Sequence, residues 1–424
     1  MSPSAISQTP PPNVEKGTEL TAAAVAKSLA SATTPTEQNG TRPALRPLDA
    51  SKLKFTKTTT PMTVPKPGDP IIATQSQCTD HMITAVWRVG YGWEDPELKP
   101  YGNLSLAPTA SVLHYATECF EGMKMYRGYD GKLRLFRPDA NCRRMLTSAT
   151  RISLPAFDPK ELEKLLMAFI ATDGPKWLPE KGSYLYLRPT MIGSAGALGV
   201  QTPKECTLFI IACFMPPLDS PIGMKLLASQ NDMVRAWPGG FGYAKVGANY
   251  GPSLLANGEA RARGYDQVLW LLGEERMVTE AGASNFFIVW RTPEGKIQLV
   301  TAPLDDKIIL DGVTRRSILQ LIRERLTNGQ SDLPDLEIVE RKFTMDEVVQ
   351  AVDQGRMVEA FAAGTAYFVA PVSTIHYKDQ DLSIPMVRGD SGEYAALIKS
   401  WLVNIMYGKD DHDWGVVVDE KQDV

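Results

Sequence analysis

Along this 424-residue chain the spacing of apolar positions changes several times, and each change marks an element. Residues 81–89 and 184–192 alternate or run apolar as strands do. Residues 125–127 and 132–136 flank Tyr129-Asp130-Gly131, where Asp-Gly supplies a hairpin turn. Asp158 before Pro159 opens a helix predicted through Phe169, with aspartate as cap and proline in the first turn. Residues 207–215 form another β-rich run, which ends at a proline cluster, 216–221. Beyond it, 267–272 and 285–290 read as buried strands, and Glu294-Gly295 turns the chain into 296–301. In 312–326, Ile318, Leu319, Leu321, Ile322 and Leu326 recur at helical spacing. Thr344 with Glu347 forms a capping box that starts a helix closed by Gly355, and 391–407 makes the last helix.

There is no internal repeat, and both halves mix strands and helices without a strict strand–helix–strand rhythm. An α+β class is therefore expected rather than a doubly wound sheet. The proline cluster divides the chain into domains at 81–218 and 224–424, joined by a linker at 219–223. Residues 1–80, rich in Pro, Thr, Ser and Ala, read as a flexible extension in which 13–32 has helical character.

Composition narrows the functional classes. Hydrophobic residues make up 43% and charged residues 22%, as in ordinary globular proteins. A net charge of −4 gives no reason to expect nucleic acid or an anionic membrane as partner. No apolar run reaches the roughly 18 residues of a membrane span. The extension has its first arginine at Arg42 and carries Glu15 and Glu19, unlike an organelle presequence, so a cytoplasmic location is expected with a mitochondrial one left open. Cys78, Cys119, Cys142, Cys206 and Cys213 show no CxxC spacing and read as small buried hydrophobes in a reducing compartment. The four histidines are scattered, so no metal site is expected.

The candidate chemistry begins in RAWPGGFGYAKVGANYGPS, Arg235 to Ser253. A phosphate-binding P-loop needs Gly-Lys-Ser/Thr, but Ala244 precedes Lys245 and Val246 follows it. A dinucleotide fingerprint fails too, because Lys245 occupies the place of the third glycine. Two readings stay open: a solvated surface lysine, or a partly desolvated amine able to attack a carbonyl. Glu280, in VTEAGASNFF, lies at a break between two strands and suits a pyridinium nitrogen or a surface turn. Arg144, in NCRRML on a half-buried helix, suits a phosphate or a solvated helix face. Gly312-Val313-Thr314 opens a helix, an anion site in itself, and Gly364-Thr365-Ala366 adds a turn with a hydroxyl. A lysine, a ring-nitrogen partner and a phosphate cup are together the parts of a pyridoxal 5'-phosphate site.

At these residues a resemblance becomes specific. CFEGMKMYRG, LRLFRP, SYLYLRP, AKVGANYGPS, QVLWL, VTEAGASNFF and AGTA stand in the order found in branched-chain amino-acid aminotransferases, over about 81–415. The chain thus resembles the fold-type IV pyridoxal-phosphate enzymes, two-domain α+β proteins like D-amino-acid aminotransferase. The resemblance implies ping-pong transfer of an amino group from leucine, isoleucine or valine to 2-oxoglutarate by a homodimer. It implies Lys245 as the catalytic Schiff-base lysine, Tyr250 on the cofactor's phenolic oxygen and Glu280 on its ring nitrogen. Arg144, Val313, Thr314 and Thr365 would cradle the phosphate, and Tyr115, Tyr186, Arg188 and Ala366 would line the substrate pocket. Strand alternation separately puts Tyr184, Tyr186 and Arg188 on one face. Departures are also plain. The CxxC pair of mammalian members is replaced by Tyr367 and Ala370, Ala283 stands where they carry threonine, and Phe241-Gly242-Tyr243 is bulky enough to narrow the pocket. The alternatives are another fold-type IV enzyme, such as a D-amino-acid aminotransferase or aminodeoxychorismate lyase, or a catalytically silent binding protein.

Overall fold

In a computed structural model, residues 44–216, 222–326, 333–366 and 368–420 are described. Local signals become local structure. Asp158 accepts from the Lys160 N–H and starts the helix Pro159–Trp177, which runs past the predicted end because Phe169, Ile170 and Trp177 continue one buried stripe. Thr344 and Glu347 form both bonds of the capping box at Met345–Asp353. The hairpin pairs Met123–Arg127 with Leu133–Phe136, turning at Gly131 with φ +86.

Among the described residues the strands form two sheets. The first has ten strands and centres on Tyr184–Gly193, flanked by Glu205–Cys213 and Met123–Arg127. The second, nine-stranded, runs from Met277–Ala281 through Gln267–Leu272, Met224–Ala228, Phe368–Tyr377 and Met357–Gly364 to Ser284–Arg291 and beyond. Pairing of Glu280 with Asn285 and of Ala281 with Ser284 joins its first strand back to Ser284–Arg291, which closes a ring. Closure leaves these strands without a free edge.

From Arg42 to Val424 the chain is one compact unit. One core lies between the first sheet and the helices Pro138–Arg151 and Pro159–Trp177, and a second fills the ring of the second sheet. A third core joins Tyr126 and Phe136 to Phe287, Ile318 and Ile398. The last strand, Gly415–Val417, returns to pair with Leu133–Phe136 in the first sheet, a crossing that the division at 219–223 does not anticipate. The part of the predicted extension that is described, 44–80, packs on the first sheet rather than hanging free. Leu48 is 2% exposed, Lys54–Phe55 pairs with Glu97–Leu98, and the Met62 N–H bonds the Asp80 carboxylate at 2.7 Å. The predicted helix at 13–32 and most of the linker lie outside the described residues.

Candidate functional site

Lys245 is held from both sides by its neighbours. Ala244 and Val246, 1% and 0% exposed, are anchored in the first core, which leaves the lysine between them facing outward from that core. Its N–H donates to Ser148 Oγ at 2.7 Å and its carbonyl accepts from the Phe120 N–H at 3.1 Å. The approach is close enough that a Cβ at Gly242 would stand 2.1 Å from the Ile308 carbonyl oxygen, and one at Gly247 would stand 1.9 Å from a Glu118 oxygen. The Lys245 amine lies 3.1 Å from the Tyr250 hydroxyl and 4.9 Å from the Phe120 ring centre. The lysine is thus a half-buried, placed amine beside a phenol and an aromatic face.

Glu280 is 3% exposed at the end of Met277–Ala281, where Gly282 at φ +57 turns the chain. Its carboxylate accepts from the Leu310 N–H and the Asn285 amide, each at 3.2 Å, and pairs with the Arg235 guanidinium. Burial pushes its carboxyl up, with Arg235 opposing. Arg235, Tyr250, Glu280, Ala283 and Leu310 line a cavity of about 310 Å³. Phe241 and Tyr243 do not narrow it, since both pack toward the first core and the glycine between them faces the cavity.

Arg144 is tied from three directions. Nε and Nη2 grip Glu121 at 2.7 and 2.8 Å, and Nη1 donates to the Asp311 carbonyl at 2.9 Å. Glu121 is fully buried and also accepts from Asn141 at 2.8 Å. Burial pushes the Glu121 carboxyl up, but the Arg144 charge and hydrogen bonds outweigh it and hold the group below its ordinary range. Val313 and Thr314, behind the uncapped N-terminus at Gly312, share a small cavity with Thr365, Asn141 and Lys124. Arg144 itself faces a separate cavity of about 320 Å³ with Asp311 and Val313. The run Leu310–Thr314 therefore touches Glu280, Arg144 and the helix N-terminus in turn.

Of the four predicted substrate residues, Tyr186 and Arg188 come together. The Arg188 guanidinium lies 4.6 Å from the Phe120 ring centre and 5.2 Å from that of Tyr186, so Arg188 and Lys245 both lie against Phe120. Arg188 Nε is buried with no hydrogen-bond partner among the described residues. The Ala366 carbonyl accepts from Lys124 at 3.2 Å, and burial pushes that lysine down to about 8. Tyr115 is not brought to the others: it is 39% exposed, and its hydroxyl bonds the Leu198 carbonyl. Sequence reasoning missed Phe120, Glu121, Arg235 and Asn285, although each lies inside a quoted motif. Their partners are far along the chain, and a charged residue beside glycine in CFEGMK was the available signal.

Residues 118–375 match the Amino-transferase class IV family. The chain is 46% identical over 379 residues to the cytosolic branched-chain-amino-acid aminotransferase of Saccharomyces cerevisiae, covering 88% of this chain and 98% of that one. It is 43% identical to the mitochondrial branched-chain-amino-acid aminotransferase of Schizosaccharomyces pombe, covering 88% and 86%. Among solved structures, the T.th. branched-chain amino acid aminotransferase complexed with N-(5'-phosphopyridoxyl)-L-glutamate aligns with a TM-score of 0.60. That match is at 26% identity and covers 79% of this chain and 98% of the other.

Proposed function

The chain belongs to the class IV amino-transferase family, and from that premise we propose how its residues move an amino group. It is a pyridoxal 5'-phosphate-dependent branched-chain-amino-acid aminotransferase of fold type IV, taking the amino group of leucine, isoleucine or valine to 2-oxoglutarate. The donor set fits the cofactor: an amine beside a phenol, a buried carboxylate, a helix N-terminus and a hydroxyl. Of the site residues, Tyr250 and Glu280 border the 310 Å³ cavity, whereas Val313, Thr314 and Thr365 border the small one. When bound, the cofactor supplies an electron-poor ring that accepts the charge left when the substrate loses its α-proton.

The protein's part is binding, orientation and proton transfer. Lys245 holds the cofactor through its amine and, once displaced, takes and returns the α-proton at Nζ. Tyr250, 3.1 Å from that amine, hydrogen-bonds the phenolic oxygen. Glu280 would pair with the ring nitrogen, and its burial would favour keeping a proton in that hydrogen bond. Val313, Thr314 and Thr365 would hold the phosphate at the helix N-terminus, and Arg144, oriented by Glu121, would add its charge from the neighbouring cavity, which Val313 also lines. Arg188, with its unpartnered Nε beside Tyr186, receives a substrate carboxylate, and Ala366 borders the same pocket.

The observation that carries this reading is the Lys245–Tyr250 pair beside a cavity that ends on buried Glu280. The test supplies leucine, isoleucine and valine with 2-oxoglutarate and scores glutamate. Failure of all three, with pyridoxal phosphate bound and its visible band present, overturns the substrate class. We also propose that the two sheets mark two domains, near 81–218 and 224–424, and that a homodimer closes the pocket. The exposure of Tyr115 and Leu113 on one short helix supports the dimer, and light scattering checks it. Among the described residues no helix is long and apolar enough to cross a membrane. Relatives include cytosolic and mitochondrial enzymes, and the Arg-free stretch before Arg42 favours the cytosol, which a C-terminal fluorescent fusion tests.

A further inference from the structure

Two cysteines that the sequence presents as unrelated small hydrophobes stand opposite each other in the fold. Cys213 ends the strand Glu205–Cys213, and Cys78 faces it across an isolated antiparallel bridge. The Thr79 N–H donates to the Ala212 carbonyl at 3.0 Å, and the Phe214 N–H donates to the Gln77 carbonyl at 3.1 Å. These bonds flank the cysteines rather than join them, so the two form a non-hydrogen-bonded pair. In such pairs the Cα atoms lie about 4.5 Å apart and the side chains approach most closely. A disulfide needs Cα atoms roughly 4.4–6.8 Å apart, so the backbone can accept one without moving.

The Cys213 thiol and the Tyr101 hydroxyl both act on the Cys78 thiol. The Cys213 thiol, opposed by burial, draws the Cys78 thiol down to about 7, while Cys213 is pushed up. Near neutral pH Cys78 is thus partly thiolate, the attacking form, with a protonated partner in reach. The remaining cysteines, Cys119, Cys142 and Cys206, are 0% exposed, and burial pushes all three thiols up. Cys78 is 5% exposed and Cys213 beside it is half-buried, so an oxidant reaches Cys78 from the Cys213 side.

We propose that Cys78 and Cys213 are a redox modification site that closes into a reversible disulfide with a low-molecular-weight disulfide of the glutathione class. The Cys78 thiolate attacks one sulfur of the oxidant and expels the first thiolate, leaving a mixed disulfide. Cys213 then loses its proton and attacks the Cys78 sulfur, expelling the second thiolate. Two protein thiols are oxidised by two electrons, one small disulfide is reduced to two thiols, and the two protein protons end on those leaving thiolates.

The crosslink has a place to act. Cys213 pairs with Tyr186 across the neighbouring strands, so their side chains share a face with Arg188, whose charge acts on Cys213. Oxidation pins the Gln77–Thr79 segment to the end of that wall. A consequence for substrate rests on the reading of Tyr186 and Arg188 as pocket residues.

The experiment incubates the holoenzyme with oxidised glutathione and maps disulfides by mass spectrometry. The expected result is a linked peptide pair carrying Cys78 and Cys213, lighter by two hydrogens and restored by dithiothreitol. In Cys213→Ser, Cys78 should retain a stable glutathione adduct, because the resolving thiol is gone. Both cysteines remaining alkylatable, or wild type stopping at the mixed disulfide, overturns the proposal, since either means the sulfurs do not meet. KM for leucine is measured before and after oxidation, and a several-fold change that dithiothreitol reverses in wild type and that Cys213→Ser lacks is expected. A crosslink that forms with KM unchanged overturns the pocket role of this wall and leaves the modification site standing.

Discussion

Replacing Glu121 by glutamine keeps the shape of a fully buried side chain and removes its charge. In the native protein its two oxygens accept from Arg144 Nε at 2.7 Å, Arg144 Nη2 at 2.8 Å and the Asn141 amide at 2.8 Å. Glutamine offers one oxygen where two now serve these three donors and the Gly122 N–H at 3.2 Å, and it turns its own N–H₂ against a guanidinium or an amide. Hydrogen bonds to charged groups contribute about 1.5–3 kcal/mol each, and breaking a buried pair on one side costs about 3–5 kcal/mol, so Glu121→Gln should lose about 3–5 kcal/mol. Arg144→Met strands the carboxylate instead and should cost about as much. The double variant Glu121→Met with Arg144→Met leaves no charge unpaired, so it should be about 1–3 kcal/mol better than the sum of Glu121→Met and Arg144→Met alone. Urea unfolding of the cofactor-free forms, which keeps cofactor linkage out of the comparison because Arg144 is also assigned to the phosphate, measures the cycle. Single-variant losses that add within about 0.5 kcal/mol would refute the reasoning, because groups in true contact do not behave as independent sites.

Other consequences follow from single residues. Lys245→Ala should fold normally, lose transamination and fail to develop the visible band on adding pyridoxal phosphate; a band that persists assigns the link to another amine. Gly242→Ala puts a Cβ 2.1 Å from the Ile308 carbonyl oxygen, a backbone atom. It should cost about 1–3 kcal/mol and weaken cofactor binding by shifting Arg235 and Lys245, and unchanged cofactor titration would count against the placed loop. Burial, opposed by the Ala395 and Tyr394 N–H groups, pushes Glu359 up to about 7. A folded value above the unfolded one, about 4.3, gives stability that is full below pH 4 and lost as pH rises through 7. Wild type should therefore lose about 3 kcal/mol relative to Glu359→Gln between pH 4.5 and 7.5, a comparison in which other titrations cancel. A stability difference that stays flat with pH contradicts the assignment.

Some of this protein could be read directly from the chain. The Asp158 and Thr344 caps, the turn at Gly131 and the buried stripe of Val313–Arg325 depend on residues a few places apart, so their chemistry is visible in any short window. The Lys245–Tyr250 pair is equally local, five residues and one tight turn apart, but only the family resemblance singled out Tyr250. The family resemblance added roles for Glu280 and Arg144 that local pattern left open. The partners of those two groups needed the fold. Arg235 reaches Glu280, and Glu121 reaches Arg144, because the two sheets and the Leu310–Thr314 run set distant segments side by side. The return of Gly415–Val417 to the first sheet, the packing of 44–80 and the meeting of Cys78 with Cys213 are of the same kind. Local hydrogen bonds and side-chain periodicity are fixed by near neighbours, and these the sequence determined. Which buried charge meets which, and which thiol meets which, depends on strand order and register between segments far apart, and that only the tertiary structure decided.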